Sequence, residues 1–187
     1  MRLPLLTVVA LLLAGCGTSP PSKFYVLTAD PAPPRVASFA GSTIALGRVS
    51  LPGALDRPSI ARRRGSNELV YVEEERWAGP LDDMVRRVLA DDLAARLPAS
   101  VTLVESAAKP PPGVTIAVEI SRFEADETGA VTLAARWEAL GPTGRPLGPP
   151  RESTIVLPGS GRDAAAVVGT MSRALSDLAT RIASGLR

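Results

Sequence analysis

The sequence predicts an α+β fold: a mostly antiparallel or mixed sheet with two amphipathic helices packed on it. Three observations predict it. Short β-type runs bounded by Pro and Gly fill most of the chain. Only two segments repeat apolar residues at helical spacing. The order runs four strands, a helix, three or four strands, a helix, which suits hairpin-linked strands with helices on a sheet face.

Phe24 to Thr28 is the first β-rich run, and the Pro-rich stretch Ala29 to Ser42 sustains no regular element. Thr43 to Leu51 alternates around Ile44, Leu46 and Val49, is broken at Gly47, and ends in a turn at Pro52 and Gly53. Arg57 to Arg62 contains Pro58, which has no ladder N–H and suits an edge or a strand start. Glu68 to Val72 sets Val70 and Val72 on one face.

Pro80 opens the first helix, Leu81 to Leu97, in which Leu81, Met84, Val85, Val88, Leu89 and Leu93 form an apolar stripe. Asp82 and Asp83 sit in its first turn, where the helix dipole favours anions. Asp82 with Arg86, Asp83 with Arg87 and Asp92 with Arg96 are spaced four apart, in the favourable order for pairing. Pro98 stops it.

Val101 to Glu105 reads as a short strand and Ala107 to Gly113 as a loop. Val114 to Glu124 and Val131 to Leu140 alternate on matched spacing and make a long hairpin turning near Thr128 and Gly129. After the Pro/Gly-rich loop Gly141 to Pro150, Glu152 to Leu157 is a β-branched strand. Asp163 caps the last helix, which runs to about Ser184 with Val167, Val168, Met171, Leu175, Leu178 and Ile182 inward.

Composition narrows function. The 187 residues carry 21 basic and 19 acidic side chains, a net charge of +2. That is too little for the broad positive field of a nucleic-acid binder, so no nucleic-acid partner is expected. His is absent and Cys16 is the only Cys. Catalytic pairs built on His, His/Cys zinc sites and disulfides within the chain are thereby excluded.

Arg2 precedes the apolar run Leu3 to Ala14. Twelve residues at about 1.5 Å each reach only about 18 Å, short of the roughly 30 Å hydrocarbon core, so residues 1–15 read as a signal peptide rather than a span. Its end, Leu13-Ala14-Gly15-Cys16, resembles the lipobox of bacterial lipoproteins. That resemblance implies cleavage before Cys16 and acylation of its thiol. By the same resemblance, Gly17, where an Asp would signal inner-membrane retention, implies the outer membrane facing the periplasm. Residues 16–22 then form the lipidated Cys and a short tether, and 23–187 a single folded domain.

Few side chains suggest chemistry. Glu73, Glu74 and Glu75 read as solvated surface at a strand end, and Asp126 and Glu127 as turn residues without the further ligands of a calcium loop. Gly159, Ser160 and Gly161 lack the Lys-Ser/Thr ending of a phosphate loop and read as the approach to a helix. Lys23 and Lys109 are the only lysines and make no Ser-Lys pair. No enzyme and no cofactor are expected. Arg62, Arg63 and Arg64 form the densest positive cluster, either a solvated loop or a headgroup or partner contact. Trp77 and Trp137 read as core, with an interface anchor as the alternative for Trp77.

Arg57-Pro58-Ser59-Ile60, then Arg62, the strand around Leu69 to Val72, and Trp77-Ala78-Gly79-Pro80-Leu81 leading into a helix resemble the central motif of the PqiC-like lipoproteins. These are also described as the auxiliary lipoprotein component of ABC-type transport systems. Phe24-Tyr25-Val26-Leu27 is similar to their aromatic first strand, and Arg122-Phe123-Glu124 with Trp137 to their hairpin. The resemblance implies an outer-membrane lipoprotein working with a periplasm-spanning MCE-domain protein and an associated transporter to move lipid and maintain the envelope. It brings no catalytic residues. On this reading Arg57, Pro58, Ile60, Arg62, Trp77, Pro80 and Leu81 face the partner, and association between copies of the chain stays open. The rival expectation is an assembly factor or chaperone for lipopolysaccharide transport or barrel assembly.

Overall fold

The computed structural model describes residues 20–31, 35, 39, 43–104 and 113–186. The signal peptide, Leu13, Ala14, Gly15, Cys16 and Lys109 lie outside the described residues. Among the described residues, eight strands and two α-helices follow in the order β1 (Lys23–Tyr25), β2 (Thr43–Ser50), β3 (Ser59–Arg64), β4 (Glu68–Trp77), α1 (Leu81–Arg96), β5 (Ser100–Leu103), β6 (Val114–Asp126), β7 (Val131–Leu140), β8 (Arg151–Leu157) and α2 (Ala164–Gly185). The fold is α+β with a mixed sheet.

β6, the longest strand, is the spine. One edge pairs antiparallel with β7 along nearly its whole length. The other pairs parallel with β2 through its first half and with β3 at its end. β4 and then β1 continue beyond β3, β5 lies outside β2, and β8 outside β7. Successive strands form hairpins at β3–β4, β6–β7 and β7–β8. The expectation of mostly hairpin linkage fails around β2, which pairs parallel with β5 and β6. Parallel neighbours need a crossover, and α1 lies on the chain's route from β4 to β5.

Two bulges set which side chains face the helices. β2 gains one residue between Leu46 and Val49, at the break expected from Gly47, so Ile44, Leu46 and Val49 all turn inward. β6 gains Ser121 opposite β7, which switches its inward set from Ile116, Val118 and Ile120 to Phe123 and Ala125. β7 has no such break and buries Val131, Leu133, Ala135 and Trp137.

Both helices lie on this face: α1 against β2 and β5, α2 against β6, β7, β8 and β1, and each against the other. Val85, Leu89 and Leu93 from α1 meet Leu175, Leu178 and Ile182 from α2 in one core with the sheet's apolar side chains. Each fully buried aliphatic side chain contributes about 1.5–3 kcal/mol of transfer free energy. α2 starts as its sequence dictates, with the Asp163 carboxylate accepting from Ala166 N at 2.9 Å.

Several boundaries differ from expectation, among them β3, which runs Ser59–Arg64 rather than Arg57 to Arg62, and two further ones with structural consequences. The first strand is shorter than Phe24 to Thr28, because after Tyr25 the chain turns to α2, where Thr28 N donates to Ser172 Oγ at 3.2 Å. β4 is longer and runs through Glu73, Glu74 and Glu75 to Trp77. The acidic run is therefore inside the strand: Ile60 faces Val72 but Ser59 faces Arg76, so the three glutamates form a bulge between them.

Candidate functional site

The seven motif residues meet at the corner where β1, β3, β4 and α1 converge, but they do not share one exposure. Trp77 N donates to the Pro58 carbonyl at 2.7 Å, and Ala78 N to the Tyr25 carbonyl at 2.9 Å. These bonds tie the end of β4 to both flanking segments just before Pro80 begins α1. Ile60, Trp77 and Leu81 are buried core side chains, with Trp77 only 5% exposed. Their side chains hold the corner rather than face a partner, and Trp77 takes the core alternative. Arg57, Pro58 and Pro80 are exposed, and Arg57 lies over the Tyr71 ring at 5.1 Å. Tyr71 is itself fixed by donating to the Ala54 carbonyl at 3.0 Å.

The arginine cluster is part of β3, not a solvated loop. Alternation along the strand sends Arg62 and Arg63 to opposite faces of the sheet. Arg62 donates to Glu75 Oε2 at 2.6 Å and to the Arg162 carbonyl at 2.6 Å, pinning the bulge of β4 and the loop before α2. Arg63 donates to both carboxylate oxygens of Glu124, and Arg122 Nε reaches Glu124 at 2.6 Å. Burial raises the Glu124 carboxyl, but hydrogen bonds from Arg63 and Arg122 outweigh it and hold the carboxyl below its usual range. Arg64 stays exposed and pairs with Glu68 at 3.3 Å.

The remaining candidates resolve into turns and caps. Asp126 Oδ1 accepts from Thr128 N, Thr128 Oγ1 and Ala130 N, which closes the β6–β7 turn and lowers the Asp126 carboxyl. Gly129, at φ +85°, sits where a Cβ would overlap the Gly161 carbonyl oxygen. The Gly159 to Gly161 segment thus packs on that turn and leads into the Asp163 cap. Among the described residues no three His, Cys, Asp or Glu side chains converge to hold a metal ion, and no helix is long and apolar enough to cross a membrane.

Sequence reasoning did not anticipate a polar seam between the helices. Ser172, Ser176 and Thr180 form a stripe on α2 at intervals of four and face Asp92 and Arg96 of α1 and the chain after β1. Arg96 Nη1 reaches Asp92 Oδ1 at 2.8 Å, Arg96 Nε reaches Thr180 Oγ1 at 2.9 Å, and Arg96 Nη2 also bonds Ser176 Oγ. Asp30 closes the seam, its N–H donating to Asp92 Oδ1 at 3.1 Å and its carboxylate accepting from Ser176 Oγ at 3.2 Å. The Asp92–Arg96 pair expected on α1 is present but wholly buried. The signal was the four-residue polar repeat inside the apolar stripe of α2.

The corner thus presents the exposed Arg57, Pro58 and Pro80 above the buried Ile60, Trp77 and Leu81. The chain is 28% identical over 147 residues to the intermembrane transport lipoprotein PqiC of Escherichia coli K12, covering 73% of each. The PqiC of Shigella flexneri matches to the same extent. The fold is shared with a crystal structure of an uncharacterized protein at TM-score 0.75 and 17% identity, covering 90% of this chain and all of that one. It is also shared with XCC0632 of Xanthomonas campestris at TM-score 0.65 and 24% identity, covering 86% and 92%. The family model of the ABC-type transport auxiliary lipoprotein component matches residues 25–183, from the end of β1 to the last turn of α2, and the chain belongs to that family.

Proposed function

We propose that this protein is a non-catalytic docking component of an ABC-linked intermembrane lipid transport and envelope-integrity system. Acylated Cys16 anchors it to the periplasmic face of the outer membrane, where it binds a periplasm-spanning MCE-domain protein served by a transporter. The observation that carries this reading is the family match across 25–183. The name of the PqiC relatives, intermembrane transport lipoproteins, supports a role in transport between membranes. Leu13-Ala14-Gly15-Cys16 after an apolar run supports the anchor, since stable attachment needs more than one acyl chain and a lipoprotein Cys supplies them. The partner meets the corner of β3, β4 and α1 through Arg57, Pro58 and Pro80. Ile60, Trp77 and Leu81 keep that edge rigid from beneath, and Arg62 ties it to the loop before α2.

The test is affinity recovery of the Cys16-anchored protein from its native envelope, beside a Cys16→Ala control. An MCE-domain protein is expected to co-purify and to be depleted in the control. Recovery of barrel-assembly or lipopolysaccharide-transport subunits in its place overturns the reading.

A further inference from the structure

Among the described residues, the start of the fold carries two large apolar side chains open to solvent, Phe24 at 65% and Val26 at 55% exposure. They flank the half-buried Tyr25, and Leu27 just beyond them is buried in the core. Val26 also borders a cleft of about 480 Å³ floored by Ala78, Met84 and Val88, with Arg87 and Asp91 at its lip. Arg87 is largely exposed and reaches Asp83 only at 4.0 Å. Lys23, exposed, precedes Phe24.

Position in the chain decides what meets this patch. Phe24 lies eight residues after Cys16, and eight extended residues span at most about 29 Å. An acylated Cys16 therefore keeps Phe24 within about 29 Å of the bilayer, close enough to reach its surface. Tethering makes contact with that surface intramolecular, so even shallow insertion of two side chains is populated. An aromatic and a β-branched side chain flanked by cations match the chemistry of the headgroup boundary, where rings seat at the interface and Lys or Arg meet lipid phosphates.

We propose that Phe24 and Val26 form a second membrane contact, inserting into the headgroup boundary of the bilayer that carries Cys16, with Lys23 and Arg87 facing lipid phosphates. The contact fixes how the folded body sits on the membrane. It rests on the anchoring reading of Cys16 given above.

The acylated protein is reconstituted into vesicles of phosphatidylethanolamine and phosphatidylglycerol with brominated acyl chains, and Phe24→Trp and Val156→Trp are compared with the parent. Trp77 and Trp137 are buried and supply a constant background. Val156, exposed on β8, reports a surface remote in sequence from the anchor. The emission added at position 24 is expected to be lost in large part with brominated lipid, as for a Trp ring seated in the interface, and that at 156 to be unaffected. Unquenched emission at 24 in protein that floats with the vesicles overturns the contact and leaves the anchor standing. Equal quenching at both positions overturns the oriented seating. Protein that fails to float overturns anchor and contact together.

Discussion

Arg96 Nη1 donates to Asp92 Oδ1 at 2.8 Å inside the seam between α1 and α2, with the Arg96 side chain 1% exposed and that of Asp92 fully closed to solvent. Burying two charges costs several kcal/mol each, and what offsets it here is the set of hydrogen bonds from Arg96 to Thr180 and Ser176 and from Asp30 N to Asp92. Arg96→Ala leaves Asp92 buried and unpaired and is expected to cost about 3–5 kcal/mol in urea unfolding. Arg96→Lys rescues little, because a single ammonium cannot spread its donors over partners on two helices as a guanidinium does. Full stability in Arg96→Lys would refute this account of the seam.

Two buried carboxyls give stability opposite pH slopes. Burial pushes the Asp92 carboxyl above 3.8, with the Asp30 N–H and Arg96 pulling it back only in part. The folded state then binds this proton more readily than the unfolded chain, so Asp92 weakens the fold as pH rises from 3.8 through its native value. Glu124 lies below its ordinary 4.5, burial being outweighed by Arg63 and Arg122. Its contribution is complete above pH 4.5 and is lost as pH falls through the native value. Glu124→Gln is expected to cost about 1–3 kcal/mol at pH 7 and to flatten the acid limb below pH 4.5. Asp92→Asn removes the opposite slope. Unfolding at stepped pH reads both.

The hairpin of β6 and β7, the Asp163 cap and the break at Gly47 were legible because each is local: alternation, a capping side chain and a glycine act within a few residues. The parallel pairing of β2 was not, because register between strands far apart in sequence leaves no mark on either. The same holds for the acidic run. Glu75 reads as surface until the bulge brings it to Arg62, 13 residues away. By alternation Glu124 falls on the face of Val114, Ile116, Val118 and Ile120, and only the extra residue at Ser121 turns it to the other side. Nothing local reveals that Arg63, 61 residues distant, covers it. Of the motif corner, the sequence showed which residues belong together. Which of them are core depended on the packing of β1 and α1 around Trp77.

Under the docking proposed for this corner, its buried and exposed residues separate stability from binding. Trp77→Ala removes a large buried side chain and is expected to cost about 3–5 kcal/mol, lowering partner recovery only through unfolding. Arg57→Glu and Pro80→Ser alter exposed positions that touch only the Tyr71 ring and the start of α1, and are each expected to move stability by about 1 kcal/mol or less while reducing partner capture from the envelope. Capture unaffected by both surface changes would move the docking face away from this corner.

Gly129 and Gly65 both hold positive φ, +85° and +57°, yet their surroundings differ. A Cβ on Gly65 meets open space, whereas one on Gly129 overlaps the Gly161 carbonyl oxygen in the segment that leads into α2. Gly65→Ala therefore carries only the left-handed backbone penalty, about 1–2 kcal/mol. Gly129→Ala carries that penalty and must also push the β6–β7 turn off the residues before the Asp163 cap, so it is expected to destabilise clearly more in parallel denaturant titrations. Equal losses at the two positions would mean that the turn and the helix start yield without strain, and that the contact between Gly129 and Gly161 is incidental to how α2 is seated.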